Sequence, residues 1–362
     1  MSRARDFADL AASADAGGLT GRNLIINGAM QVAQRGTSSA NVTSAGYQTL
    51  DRFSIRQTSS YLGTGIDIDI SQATDAPTGF KNSYKVAVQA NDTPTANEAL
   101  FVEYRAEGQD VAHLGFGTSG AKSVTLSFYV KAGVTGTYSV ALRNGTGDRV
   151  YIAEYTVSSA DTWEEKVITF SGSTDGTWAT DNTAGFRVRW TIAGGSGGRT
   201  AGSYLTASGN DWSSNQVNGM VSGKNWLITG VQLELGSQAT PFEHRSFGDE
   251  LARCQRYYSQ FDSDNGGWIA GGFFYNTTAV EATVRLPQRM RAAPTVSIGG
   301  TENHIVIQRA ATSNAGAGST QFNQATTVAY NLSTTADGSS TTGNGTNLRV
   351  QNTAILKHDA EL

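Results

Sequence analysis

Apolar and polar residues alternate along most of this chain. The clearest case is Ser123–Lys131 (SVTLSFYVK), where Val124, Leu126, Phe128 and Val130 fall on one face, as in a half-buried strand. The same period recurs in Tyr61–Ile70, Tyr84–Ala90, Ala99–Arg105, Trp163–Phe170 and Phe186–Ile192. Tyr138–Arg143 and Arg149–Val157 flank the turn Asn144–Asp148, which predicts a hairpin. In Asn225–Leu235, Leu227, Thr229, Val231, Leu233 and Leu235 share a face, with Gln232 and Glu234 opposite. Glycine-rich turns join these strands and no helix interrupts them, which is the pattern of a sandwich or jelly roll.

Two segments change period. Phe7, Leu10, Ala11 and Ala14 stand at i, i+3, i+4 and i+7 and predict a short helix within residues 1–20. A lone helix of that length is marginal in water, so Phe7 and Leu10 are expected to anchor it against its own copies or a docking protein. Residues 247–258 predict a connector helix, with Leu251, Cys254 and Tyr258 on one side. Beyond it, Phe273–Leu286, Thr295–Ile298, His304–Ala310, Gln321–Asn331 and Asn347–His358 predict a smaller β-domain. Ser333–Asn347 is expected to be a long loop or turn. The expected architecture is all-β: a jelly-roll β-sandwich at 21–246 and a smaller C-terminal β-sandwich at 259–362.

Composition narrows the function. The 362 residues include 42 glycines but only 5 prolines, and 16% are charged, which suits an extracellular all-β protein with many tight turns. A formal charge of −4 gives no basic footprint for nucleic acid. No stretch reaches the ~20 apolar residues of a membrane-spanning helix, and no secretion signal opens the chain. Cys254 stands alone, so no intramolecular disulfide framework is available. This fits synthesis in a reducing cytoplasm.

Catalytic signatures are lacking. His113, His244, His304 and His358 are far apart and outside any metal-ligand spacing. Asp67 and Asp69 share a strand face ~7 Å apart and are the best paired carboxylates for glycan hydrolysis. The adjacent Glu164 and Glu165 face opposite ways. A structural calcium could take oxygens from Asp67, Asp69, Asp211 or Glu234, but no EF-hand spacing is present. Tryptophans are the stronger signal, because sugar rings stack their C–H faces on indole. Trp178, Trp212 and Trp268 fall in polar, glycine-containing loop sequences, whereas Trp163, Trp190 and Trp226 fall in predicted strands and are expected in the core. Trp212 and Trp268 are the preferred exposed pair.

Three stretches carry a family resemblance. They are NLIINGAMQVAQRGTS (Asn23–Ser38) with Asp51-Arg52-Phe53, then TGVQLELGSQATPFEHR followed by ELARCQRYY, and LPQRMRAAPTV (Leu286–Val296) with the closing Asp359-Ala360-Glu361-Leu362. In this order they resemble the tail-fibre and virion-surface proteins of phages and prophages, in which a carbohydrate-binding-module-like jelly roll precedes a small β-domain. The resemblance implies a homotrimer docked through its N-terminus on other virion proteins, binding host surface polysaccharide without catalysis. A capsid decoration protein is the alternative it leaves open, and a glycan depolymerase is a more remote one.

Overall fold

The computed structural model describes residues 21–59, 61–63, 67–206, 209–261, 267–299, 305–309, 312–336, 340–350 and 355–362. The expected N-terminal helix, with Phe7 and Leu10, lies outside the described residues. The chain divides into two compact units, the first running to Glu250 and including Leu362, the second spanning Leu251–Glu361. The division falls inside the helix Phe247–Gln255.

The first unit contains β1 (Ser38–Ser39), β2 (Phe53–Gln57), β3 (Ile68–Ala73), β4 (Ser83–Val88), β5 (Ala99–Glu107) and β6 (Val124–Ala132). It continues with β7 (Gly136–Asn144), β8 (Arg149–Val157), β9 (Glu164–Phe170), β10 (Ala184–Gly194), β11 (Tyr204–Thr206) and β12 (Asn225–Leu235). These strands form two six-stranded antiparallel sheets, in the orders β1-β3-β4-β12-β6-β9 and β11-β8-β7-β10-β5-β2. The inward residues of both sheets, among them Leu126, Phe128, Val140, Val188 and Trp190, share one core. This is the jelly-roll sandwich that the alternation predicts. The predicted hairpin is also present, with β7 paired to β8 from Gly136↔Val157 to Arg143↔Val150.

Two local expectations are corrected. Tyr61–Gly63 is a 3₁₀ turn and the strand begins only at Ile68, because Tyr61 and Leu62 enter the core side by side. In β12 the register shifts between Thr229 and Gln232, where Gly230 adopts φ +62°. Trp226 and Ile228 face the core before that bulge, and Val231 and Leu233 face it afterwards. Leu227 therefore does not share the face of Val231, since one extra residue reverses the parity of a strand. Glycine is required here: a Cβ would meet Phe80 at 2.7 Å and Tyr129 at 2.9 Å.

Two of the stretches that carry the family resemblance, the first and the second, form a clasp. Asn23 Nδ2 donates to the Val231 carbonyl, and Asn23 Oδ1 accepts from the amides of Ile25 and Leu233. Glu243 accepts from the amides of Gly21 and Asn23, and Arg245 donates to the carbonyls of Ile25 and Asn23. Glu250 accepts from the Asn27 amide at 2.6 Å. Asn27 Nδ2 donates to the carbonyls of Val32 and Asp51. Inside the clasp, buried Gln232 and Glu234 hold Thr240 and Glu243. These polar residues thus satisfy backbone groups that burial would otherwise leave unpaired.

The second unit contains β13 (Tyr258–Phe261), β14 (Trp268–Phe274), β15 (Ala279–Arg285), β16 (Thr295–Gly299) and β17 (Ile305–Arg309). After these come β18 (Thr312–Asn323), β19 (Ala329–Ala336), β20 (Gly345–Val350) and β21 (Ile355–Asp359). It is all-β, but its main body is a closed barrel, β14-β15-β19-β18-β17-β20, beside a three-stranded sheet β13-β21-β16. The expected C-terminal sandwich is corrected accordingly: β14 pairs with both β15 and β20, which removes the sheet edges that two facing sheets would keep. Phe273–Leu286 and Asn347–His358 each supply parts of two strands, and β19 occupies the first residues of the expected Ser333–Asn347 loop. Val280, Val284, Ile307, Leu332 and Leu348 fill the barrel. Arg291, in the LPQRMRAAPTV stretch, donates to the carbonyls of Ala360 and Glu361.

Candidate functional site

The second unit carries the open site. Trp268 is 57% exposed and Phe273 is 47% exposed, both on the outer face of β14. Gly271 and Gly272 lie between them and leave the strand bare. A depression of about 580 Å³ forms there, lined by Trp268, Gly271, Gly272, Phe273, Gln308, Gly345, Thr346 and Asn347. Register explains the floor: Gly271 lies opposite Asn347 of β20, and Asn347 lies opposite Gln308 of β17, so these side chains share the outer face. Gln308 Oε1 is buried and has no partner among the described residues. Two aromatic rings therefore flank a floor of carboxamides, one with a free acceptor. Among the described residues, the lining offers aromatic faces for stacking and amide and hydroxyl groups for hydrogen bonding.

Sequence reasoning found Trp268 but missed Phe273, Gln308 and Asn347. Trp268 and Phe273 stand five residues apart, which a regular strand places on opposite faces; the register shift between Trp268 and Ala270 brings them to one face, and the spacing in the sequence gives no sign of it.

The other two tryptophans do different work. Trp212 is only 1% exposed, which corrects its expected place in an exposed pair. Its Nε1 donates to the Gly195 carbonyl at 2.9 Å, and its ring packs on Ala99 and Phe101. Residues 195–206 and 209–217 cover part of the outer face of the second sheet, with Ala201 and Leu205 over Ala141, Val150 and Ile152 and Trp212 over Ala99 and Phe101. Trp178 is half-buried, edge-on to Phe116 at 4.7 Å, and donates from Nε1 to the Asp175 carbonyl. The cavity beside it measures about 20 Å³, too small for a sugar. Trp190 and Trp226 are buried in the core as expected, whereas Trp163 is half-buried and donates to Asp75 at 2.9 Å.

Beneath residues 195–206 and 209–217 lies a charged layer. Glu103, fully buried, accepts from Arg189 and Arg105 at 2.6 Å each, and Arg56 stands 3.7 Å away. Asp211 joins Arg189 at 3.0 Å and also pairs with Arg143. Burial alone would raise the Glu103 carboxyl, but the neighbouring Arg189 and Arg105 outweigh it and hold the pKa at about 2. Glu103 stays ionised and serves as a counterion.

Most of the candidate acids and metal ligands are engaged by neighbouring groups. Asp69 accepts from the Asn41 amide and from Gln89 Nε2, while Asp67 Oδ1 is buried without a partner among the described residues. Asp211 is committed to arginines and Glu234 to Thr240. Glu164 accepts from the amides of Ser158 and Ser159 and pairs with Lys166. Among the described residues, no three His, Cys, Asp or Glu side chains gather as a metal ion would need. In the second unit, His358 lies between Ser259 and Tyr330, each at 3.1 Å. All three are buried, so this serine–histidine pair is closed to substrate.

No family model matches the chain, and no curated protein matches it. Several solved structures are similar at low level. The enzymatically active domain of bacteriophage CBA120 tailspike protein 4 has 14% identity and a TM-score of 0.32, covering 59% of this chain and 21% of that one. A putative sugar binding protein from Bacteroides thetaiotaomicron has 13% identity and a TM-score of 0.34, covering 59% of this chain and 100% of that one. The family 11 carbohydrate-binding module from Clostridium thermocellum, in complex with a mixed-linked tetrasaccharide, has 13% identity and a TM-score of 0.28. It covers 57% of this chain and 98% of that one. The match thus spans about a fifth of the tailspike chain. Scores this low carry no argument about what the present chain binds.

Proposed function

We propose that this chain is a non-catalytic glycan-binding protein of a bacteriophage virion, set in a tail fibre or spike, and that its outer barrel face holds the sugar. The observation that carries the binding is the pairing of exposed Trp268 and Phe273 across a glycine gap floored by Asn347 and Gln308. A pyranose ring can stack on the indole, which combines apolar area with a polar edge. Its hydroxyls can then meet the floor amides, including the unpaired Gln308 Oε1. The virion setting is supported by the three ordered stretches that resemble phage fibre proteins. A homotrimer presenting several such depressions would gain avidity from individually weak sites. In this scheme the jelly roll is a spacer, consistent with part of its second sheet being covered by Ala201, Leu205 and Trp212.

The test is affinity electrophoresis of the full-length protein in gels containing host surface polysaccharide. Trp268→Ala should weaken retardation roughly tenfold, the equivalent of one aromatic contact of about 1.4 kcal/mol. Gly271→Val should abolish it: a Cβ at residue 271 meets only Asn347 Oδ1 at 3.8 Å, so the added side chain fills the floor without strain. Wild-type retardation by both variants would overturn the barrel site. Immunogold label against residues 254–362, confined to the head of intact particles, would overturn the tail setting.

A further inference from the structure

Three arginines stand side by side on the outer face of the second jelly-roll sheet. Arg187 of β10 lies directly opposite Arg105 of β5 on one side and Arg143 of β7 on the other. Directly opposed residues of antiparallel strands share a face at about 5 Å, and like charges there are destabilising. Two carboxylates flank the row. Glu103 lies one outward row away and is shared by Arg105 and Arg189. Asp211 is shared by Arg189 and Arg143 through Oδ2, its Oδ1 being buried without a partner among the described residues. Arg105 Nη1 donates to an oxygen of Leu362 at 2.6 Å.

Among the described residues, Arg187, in the middle of the row, has one hydrogen-bond partner, the Gly145 carbonyl at 2.8 Å. The Nε groups of Arg187 and Arg143 are both buried without a hydrogen-bond partner among the described residues. A guanidinium left this way loses solvation without matching hydrogen bonds, and the charge of Glu103, already shared by Arg105 and Arg189, offsets only part of the loss. Burial, followed by the charge of Arg105, pulls the Arg187 pKa down to about 10. The row is nevertheless reachable: Arg105 and Arg143 each keep 16% of their side-chain surface in solvent, and Arg187 is also partly exposed.

We propose that this arginine row is a binding site for an oxyanion (a carboxylate, sulfate or phosphate group), centred on Arg187 and distinct from the barrel depression. Planar guanidinium forks match such oxygens in a bidentate manner, and an anion there would satisfy both orphaned Nε donors and relieve the repulsion along the row. Two sources share this chemistry, a free inorganic anion and the acidic sugar of a polysaccharide.

The experiment is a titration of the arginine Nε–H NMR resonances in the full-length protein, with inorganic phosphate in one arm and trigalacturonate in the other. Sodium chloride at matched ionic strength is the reference. Saturable shifts at Arg187 and Arg143 with phosphate alone identify a free-anion site; tighter saturation by trigalacturonate identifies an acidic-sugar site. Arg187→Gln should remove the saturable shift at Arg143 without lowering the thermal midpoint, since it deletes one of three like charges. Arg187→Lys should retain the shift in weakened form and covers the case in which the glutamine variant does not fold. Shifts no larger than those with chloride would overturn the proposal. So would an Arg143 response that persists undiminished in Arg187→Gln.

Discussion

Lowering the pH should destabilise the second unit through a single buried histidine. His358 is fully buried, held by Ser259 at Nδ1 and Tyr330 at Nε2, with the ring of Phe261 edge-on at 5.3 Å. A neutral imidazole offers one donor and one acceptor, which two hydroxyls can match in either tautomer. Burial opposes the charged form and lowers the pKa from 6.5 to about 4. The unfolded chain therefore binds a proton between those values while the folded chain does not, so stability is full above pH 6.5 and falls as pH drops toward 4. A shift of about 2.5 units at ~1.4 kcal/mol each makes the loss about 3 kcal/mol, a large share of the stability of a small domain. The assay is urea unfolding of the full-length protein from pH 7 to 4.5, read at the methyl NMR resonances of Leu332 and Leu356, which belong to the second unit. His358→Gln, which cannot titrate, should start less stable but lose less on acidification. Parallel loss in wild type and variant across that range would refute the reasoning, because titrating carboxylates would then account for all of it.

Two further expectations follow from packing. Trp212→Ala should cost about 3–5 kcal/mol in urea unfolding of the first unit, since a fully buried indole and its bond to Gly195 are lost. Polysaccharide retardation by the barrel face should be unchanged; lost retardation in a folded Trp212→Ala protein would contradict the separation of scaffold and site. Gly28→Ala should open the clasp, because its Cβ would meet the Val231 carbonyl oxygen at 2.1 Å. Hydrogen exchange at the amides of Leu24 and Asn27 should then accelerate, and unchanged protection would show that the clasp tolerates the methyl.

Alternation made the jelly roll legible because β6 places Val124, Leu126, Phe128 and Val130 in the core at every second position. It failed where backbone geometry intervened. The parity switch at Gly230 cannot be seen in the spacing of apolar residues, since Leu227 and Val231 still stand four apart. Barrel closure was equally hidden: pairing of β14 with both β15 and β20 is a long-range fact, and the short turns inside Phe273–Leu286 read as continuous strand. For the tryptophans, local sequence could not separate Trp212 from Trp268. Both follow small polar residues, and only packing over Ala99 and Phe101 buries one of them. The arginine row was illegible for the same reason, because Arg105, Arg143 and Arg187 meet only through strand order.

The clasp also determines where tension would run. The beginning and end of the first unit meet directly, with Gly21, Asn23 and Asn27 bonded to Glu243, Arg245 and Glu250. A pull applied at those two ends meets this set of bonds together with β12, to which Asn23, Leu24 and Glu243 are also bonded. Tension is thereby led into one strand of the first sheet. The arginine row lies on the other sheet, which shares no strand with it.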